Sequence, residues 1–195
     1  MALLARLRRS CGLEALVRLS RERRGSGAVE FAFLAPILIL CYLGAFETSV
    51  GFGVARKVAH ACATVADLLS QSSSVNIATL DSMPTVVKSV MAPYDPANYA
   101  LKVTGIAVTS STEGTVKWSR DQSGGTPYRK ESTVTIPGDV GTVGSFVVRA
   151  ELSLPYHLKT IDMIRHEGGA GALTISKTYY FRQRIGSGIT CSNCP

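Results

Sequence analysis

The sequence predicts an α+β protein: a long N-terminal transmembrane helix followed by a small antiparallel sheet domain with one or two helices. Three observations carry this. Sixteen residues without a charge, 31–46, lie between Glu30 and Glu47, and residues 48–55 are also uncharged. From Val54 to Leu69 apolar residues recur at three- and four-residue steps, the period of a helix with one buried face. Beyond Pro96 the pattern changes to short β-rich runs separated by turn residues.

The elements follow in order. Residues 1–25 hold seven Arg and two Glu, mixed with Leu3, Leu4, Leu7, Leu13, Leu16 and Leu19 in a loosely helical pattern. Most of the net charge of +7 sits in this leader, since only 14 basic and 12 acidic residues follow Gly25. The basic balance therefore gives no reason to expect a nucleic-acid partner, and no basic-aromatic motif supports one. A basic cluster just before an apolar run marks a cytoplasmic flank, which puts the C-terminal part outside the inner membrane, in the periplasm. In a secretory signal peptide the charged region precedes the apolar core and the small-residue cleavage site follows it. Here Gly25, Ser26, Gly27 and Ala28 come before the apolar core, so cleavage at this junction keeps the hydrophobic segment on the mature chain. Residues 28–55 as a helix would be about 42 Å long, more than the roughly 30 Å of a hydrocarbon core.

Past the span, Val54, Val58, Ala61, Cys62, Val65, Leu68 and Leu69 make an apolar face, with Arg56, Lys57, His60, Thr64 and Asp67 at other positions. That face can pack on the downstream domain or on a neighbouring subunit. Residues 71–75, Gln-Ser-Ser-Ser-Val, end the helix. A second helical stretch covers roughly Ile77–Met91, with Pro84 able to move its start to near Ser82. Pro93-Tyr-Asp-Pro96 is a turn. Strand-like runs cover 99–110, 114–120, 132–136, 145–154 and 172–181, with loops at 121–125 and 168–171. The expected organisation is 1–25 a cytoplasmic basic leader that is cleaved, 26–55 a transmembrane helix, 56–71 its periplasmic extension, and 72–195 a periplasmic α+β domain. The length allows one compact domain plus an anchor.

Candidate chemistry is sparse. Of Cys11, Cys41, Cys62, Cys191 and Cys194, only the last three can face an oxidising compartment in this orientation. Cys191-Ser-Asn-Cys194 supplies two of the four ligands a structural zinc needs, and His60, His157 and His166 show no clustered ligand spacing. A thioredoxin-like redox pair opens a helix after a strand, whereas this one has only Pro195 behind it. A small structural disulfide is the favoured reading, with Cys62 a buried small hydrophobe. No nucleophile elbow, phosphate loop or HExxH appears. His157, Asp162, His166 and Glu167 can be read as an acid-base cluster, and surface loop residues explain them at least as well. No enzyme activity and no cofactor are expected.

The segment from Gly25 to Pro36, Gly-Ser-Gly-Ala-Val-Glu-Phe-Ala-Phe-Leu-Ala-Pro, resembles the N-terminus of the TadE family, minor pseudopilins of tight-adherence (Flp, type IVb) pilus systems. The resemblance extends through Gly-Ala-Phe-Glu47 and to the Phe-Arg-Gln-Arg184 tail with Cys191 and Cys194, where Gln183 replaces a proline of related sequences. It implies a prepilin peptidase that reads Arg24 and Gly25 and cuts after Gly25. Ser26 then becomes the first mature residue, Glu30 the fifth and Phe31 the sixth; cutting after Gly27 would make Glu30 the third. A carboxylate at the membrane edge needs interfacial water or a cationic partner, and the resemblance implies that Glu30 pairs with a freed Ser26 ammonium during assembly. Pro36, which removes a helix hydrogen bond and kinks the helix near Ala32, is a frequent feature of such anchors. The function implied is that of a structural or assembly subunit, with other pilins and pseudopilins, the inner-membrane assembly platform and the lipid bilayer as partners. The alternative is an uncleaved, inner-membrane-anchored periplasmic scaffold or binding protein of the same machine. A tethered periplasmic enzyme is a third class, and it would need an unrecognised site within residues 76–190.

Overall fold

The computed structural model describes residues 25–158 and 172–194. The chain divides into two compact units, Met1–Phe46 and Glu47–Pro195. The α+β expectation holds. Helix α1, Ser26–Ser70, begins in the first unit and ends in the second. It is followed by β1 (Ser74–Val75), α2 (Ile77–Met91), β2 (Ala100–Val108), β3 (Glu113–Asp121), β4 (Thr133–Thr135), β5 (Phe146–His157), β6 (Ala172–Arg182) and β7 (Thr190–Cys191).

In the first unit the described residues are helical from Ser26 onward. Val29, Phe31, Phe33, Leu34, Ile37, Leu38, Ile39, Leu40, Tyr42 and Phe46 are all more than half exposed. Consecutive exposed positions advance 100° around the axis, so this part of α1 is apolar on every side. Residues 26–46 rise about 31 Å, close to the roughly 30 Å hydrocarbon thickness. A helix of that length whose one charge, Glu30, lies in its first turns, and none of whose most hydropathic window is buried, is a candidate membrane span.

In the second unit α1 becomes one-sided. Val54, Val58, Ala61, Cys62, Val65, Ala66 and Leu69 are buried, most of them completely. Of the face expected from sequence only Leu68 departs from it, at 42 % exposed, and Ala66 takes its place. Residue 68 lies 100° from the central Leu69, while residue 66 sits one turn after Cys62 on the buried side. The face packs on the downstream domain. It meets Leu80, Met83, Val87 and Met91 of α2 and one surface of a five-stranded sheet, through Leu101, Val103, Trp118, Phe146, Val148, Ala150, Leu152 and Leu154. Burial of each Val or Leu here stabilises the unit by roughly 1.5–3 kcal/mol.

The sheet is antiparallel throughout, in the order β4-β3-β2-β5-β6. Separately, β1 and β7 pair in parallel, Ser74 with Thr190 and Val75 with Cys191, joining the end of α1 to the C-terminal segment. Strand β5 runs to His157, past the expected end at Leu154 and through Pro155. Its pairing with β2 stops at Ser153, so Pro155 has a ladder neighbour on one side only, Thr174 of β6, and its missing N–H can point away from the ladder. Strand β4 is shorter than the run at 132–136, although Val116 N–H still donates to Ser132 O and Ile136 N–H to Thr112 O.

Pro84 does not set the start of α2. The helix begins at Ile77, where the Asn76 side chain accepts from Thr79 N–H at 2.8 Å and the Asn193 side chain accepts from Ile77 N–H at 2.9 Å. Two caps and four buried apolar residues carry the helix through a proline that removes the hydrogen bond to Leu80 O. Arg120 of β3 then clamps the exposed side of α2 with two bonds to the Asp81 carboxylate, at 2.8 and 2.9 Å.

Trp118 fills the centre of the sheet's helix-facing side, with its indole N–H donating to Ile189 O at 2.8 Å. Room for it depends on Gly105 across the strand pair, where a Cβ would lie 2.2 Å from Trp118 Cε2. Gly105→Ala is expected to destabilise the protein by about 1–3 kcal/mol. The measurement is thermal unfolding of the full chain in detergent, followed by Trp118 fluorescence.

Candidate functional site

The residues singled out from sequence cluster at the start of α1. Arg24 lies outside the described residues. Gly25 is exposed in a turn, its carbonyl accepts Val29 N–H at 3.1 Å, and a Cβ at Gly25 would touch nothing within 4 Å. Ser26 is the first helical residue. Glu30 and Phe31 follow in the helix with exposed side chains, Phe31 at 67 %. Ser26 and Glu30 are four residues apart, so the amide of Ser26 and the carboxylate of Glu30 belong to the same face of the helix. The carboxylate stands near the positive end of the helix dipole, where a negative charge is favoured. Pro36 lies within the helix and leaves Ala32 O without its usual donor.

The arrangement gathers an accessible small-residue junction, a helix start, a carboxylate one turn in and a wholly apolar helix beyond it. It presents an exposed backbone at Gly25 and an apolar rod along the first part of α1. Among the described residues no group of three or more His, Cys, Asp or Glu could hold a metal ion.

The remaining candidates sit in the second unit. Cys191 and Cys194 are joined by a disulfide, and the loop between them carries the Asn193 side chain that caps α2. Cys62 is fully buried and unpaired, with its thiol 3.2 Å from Ala150 O and 3.4 Å from Lys177 O. Burial pushes this thiol up to about 11, partly offset by backbone hydrogen bonds. Of the suggested acid-base group, His157 is exposed at the end of β5, and Asp162, His166 and Glu167 lie outside the described residues. Glu47, which closes the uncharged run, accepts a hydrogen bond from Tyr156 OH at 3.2 Å.

One polar cluster escaped the sequence reading. Arg149 is 6 % exposed on the side of the sheet away from the helices. Its Nε lies 3.3 Å from Glu151 Oε2, though off the hydrogen-bond direction, and its guanidinium carbon stands 4.2 Å over the Tyr128 ring. Tyr128 OH donates to Glu151 Oε1 at 3.1 Å, and burial followed by that bond raises the Tyr128 phenol. The cluster pins the β3–β4 connection onto the sheet. Its signal in sequence is the pair Arg149 and Glu151 at alternate positions of an otherwise apolar strand.

Residues 25–67, which take in the junction, the candidate span and most of the buried face of α1, match the family model described as TadE-like protein. No curated protein and no solved structure matches the chain.

Two outcomes follow for Cys62. In the folded protein at neutral pH it should resist iodoacetamide while Cys41 in detergent reacts, and unfolding should expose it, as read by mass spectrometry. Its folded value lies above the ordinary 9.0, so the folded state holds the proton more tightly. The stability it contributes is complete below about pH 9 and declines as pH rises toward 11, which denaturant titrations across that range will read.

Proposed function

We propose that this TadE-like chain is a pilin-like structural subunit of a tight-adherence pilus system, cut by a prepilin peptidase after Gly25 and assembled through its N-terminal helix. The observation that carries the reading is the extent of the family match. It begins at Gly25, the residue after which the cut would fall, and covers the whole exposed apolar stretch.

The steps use this chain's own residues. The leader, with Arg24, stays in the cytoplasm and presents the Gly25–Ser26 bond to the peptidase. Hydrolysis frees the Ser26 amine, which is protonated at neutral pH. That ammonium and the Glu30 carboxylate share a helix face, so neighbouring subunits can exchange them in complementary pairs at the apolar boundary, where a charged hydrogen bond is strongest. Phe31 and the apolar positions beyond it supply lateral packing, and the loosened helix at Pro36 can adapt to adjacent helices. The folded unit is then held in the periplasm, where a Cys191–Cys194 disulfide is stable.

Sequencing the mature N-terminus tests the cut: Ser26 is expected first, and a chain that still begins near Met1 sinks the processed reading. Gly25→Ile should block the size shift; a shift that persists unchanged excludes Gly25 as the cleavage residue. An intact wild-type chain instead identifies an uncleaved anchor serving as a scaffold. Glu30→Gln should leave cleavage intact but reduce co-purification with other pilins about tenfold or more, matching the loss of a charged hydrogen bond of roughly 1.5–3 kcal/mol.

A further inference from the structure

Glu47 ends the uncharged run, and it is not solitary. Tyr156 OH donates to its carboxylate at 3.2 Å. The Tyr156 ring also lies against the helix one turn further on, since a Cβ at Gly51 would be 3.5 Å from Tyr156 Cε1. A Cβ at Gly53 would be 3.4 Å from Tyr94 OH, which brings the segment after α2 to the same level. Leu173 is the cross-strand partner of Tyr156. Glu47, Phe52, Tyr94, Tyr156 and Leu173 therefore mark one end of the second unit. Ser70, bonded through its carbonyl to Arg184 N–H, lies at the other end of the α1 segment.

Apolar exposure alone does not separate the two ends, since Val143 at 66 % and Ile185 at 59 % are exposed away from Glu47; what marks the Glu47 end is its continuity with residues 26–46 and the tyrosines gathered at that level. The Glu47 end exposes Phe52 at 68 % and Leu173 at 57 %, and has a 420 Å³ cleft lined by Val54, Tyr94, Leu154, Tyr156 and His157. The β2–β3 turn, at the far end of its strands, is Thr109-Ser-Ser-Thr-Glu113. We propose that the Glu47 end of the folded unit rests in the headgroup layer of a bilayer, with lipid as its partner surface. The inference rests on reading residues 26–46, the first-unit part of the 26–55 segment expected to cross the membrane, as the span itself. A carboxylate is costly inside hydrocarbon, so a span that ends at Phe46 fixes the lipid–water boundary near Glu47. Whatever is hydrogen-bonded to Glu47 shares that boundary. Tyrosines with an apolar body and a polar tip favour this depth. Phe52 and Leu173 then meet lipid instead of water. A second copy of the chain is the rival occupant, but the level of Glu47 places lipid there first.

The test uses the full chain in phosphatidylcholine–phosphatidylglycerol liposomes. On a Cys11→Ser, Cys41→Ser background one fluorophore is attached to Leu173→Cys, Phe52→Cys or Ser111→Cys, and Cys41 is labelled separately in a Cys11→Ser chain. Nitroxides are placed on lipid headgroups or mid-chain. With the unit seated within about 10 Å of the headgroups, the headgroup nitroxide should remove about half of the emission at 173 and 52 and leave 111 unchanged. Full emission at 173 and 52, with Cys41 quenched by mid-chain nitroxide, overturns the interfacial seat while the span stands. An unquenched Cys41 overturns both. Self-quenching between copies at 173 without lipid quenching assigns this face to a second subunit and overturns the proposal.

Discussion

The second unit depends on the burial of one face of α1. Val58, Ala61, Cys62, Val65 and Ala66 are wholly withdrawn from solvent, and the cluster they belong to takes in α2 and β5 from Phe146 to Leu154. Small residues at Ala61, Cys62 and Ala66 let the helix backbone approach the sheet closely, which is why the Cys62 thiol comes within bonding distance of carbonyls on two different strands. The same helix, some turns earlier, has no such face. There every side is apolar and exposed, and a polar surface would have no use in hydrocarbon. One continuous element thus meets two environments, and its composition changes from all-round apolar to one-sided between Phe46 and Val54.

The polar residues of the second unit secure what burial alone leaves loose. Lys57 reaches the carbonyls of Val90 and Ala92 and so fixes the end of α2 to α1. Arg120 holds α2 to β3 through Asp81, whose carboxyl is kept below its ordinary value by the guanidinium hydrogen bond. Arg184 pairs with Asp67 near the end of α1, beside the parallel β1–β7 pairing that ties the C-terminal segment down. Exposed pairs of this kind contribute little energy singly. Their value is positional: each joins elements far apart in sequence. Arg149 differs because it is buried, and its charge is accommodated by Glu151 and the Tyr128 ring together.

A TadE-like segment of residues 25–67 includes both halves of α1. The match therefore covers an apolar stretch suited to lipid and a second stretch that forms part of a folded core. A chain built this way couples whatever its N-terminal helix packs against to the domain that the same helix helps to hold together. The sheet, α2 and the C-terminal segment lie outside that match, and they are the parts whose chemistry is least marked in sequence.

Much of this was legible in the residues themselves. An uncharged run bounded by Glu30 and Glu47, the small residues before it and the three-and-four spacing after it determine the candidate span, the junction and nearly the whole buried face of α1, because each is a local pattern with a physical period. The β-rich runs locate the strands to within a few residues for the same reason. The junction site is legible only because it lies in one continuous stretch. Tertiary structure alone decided the strand order, the parallel joining of β1 to β7, and the passage of α2 through Pro84 and of β5 through Pro155. It also decided that Ala66 and not Leu68 is buried, that Gly105 makes room for Trp118, and that Tyr156 is the partner of Glu47. Each of these is settled by a neighbour distant in sequence, and a local pattern carries no information about which distant residue will supply the missing cap, the free edge or the hydrogen bond.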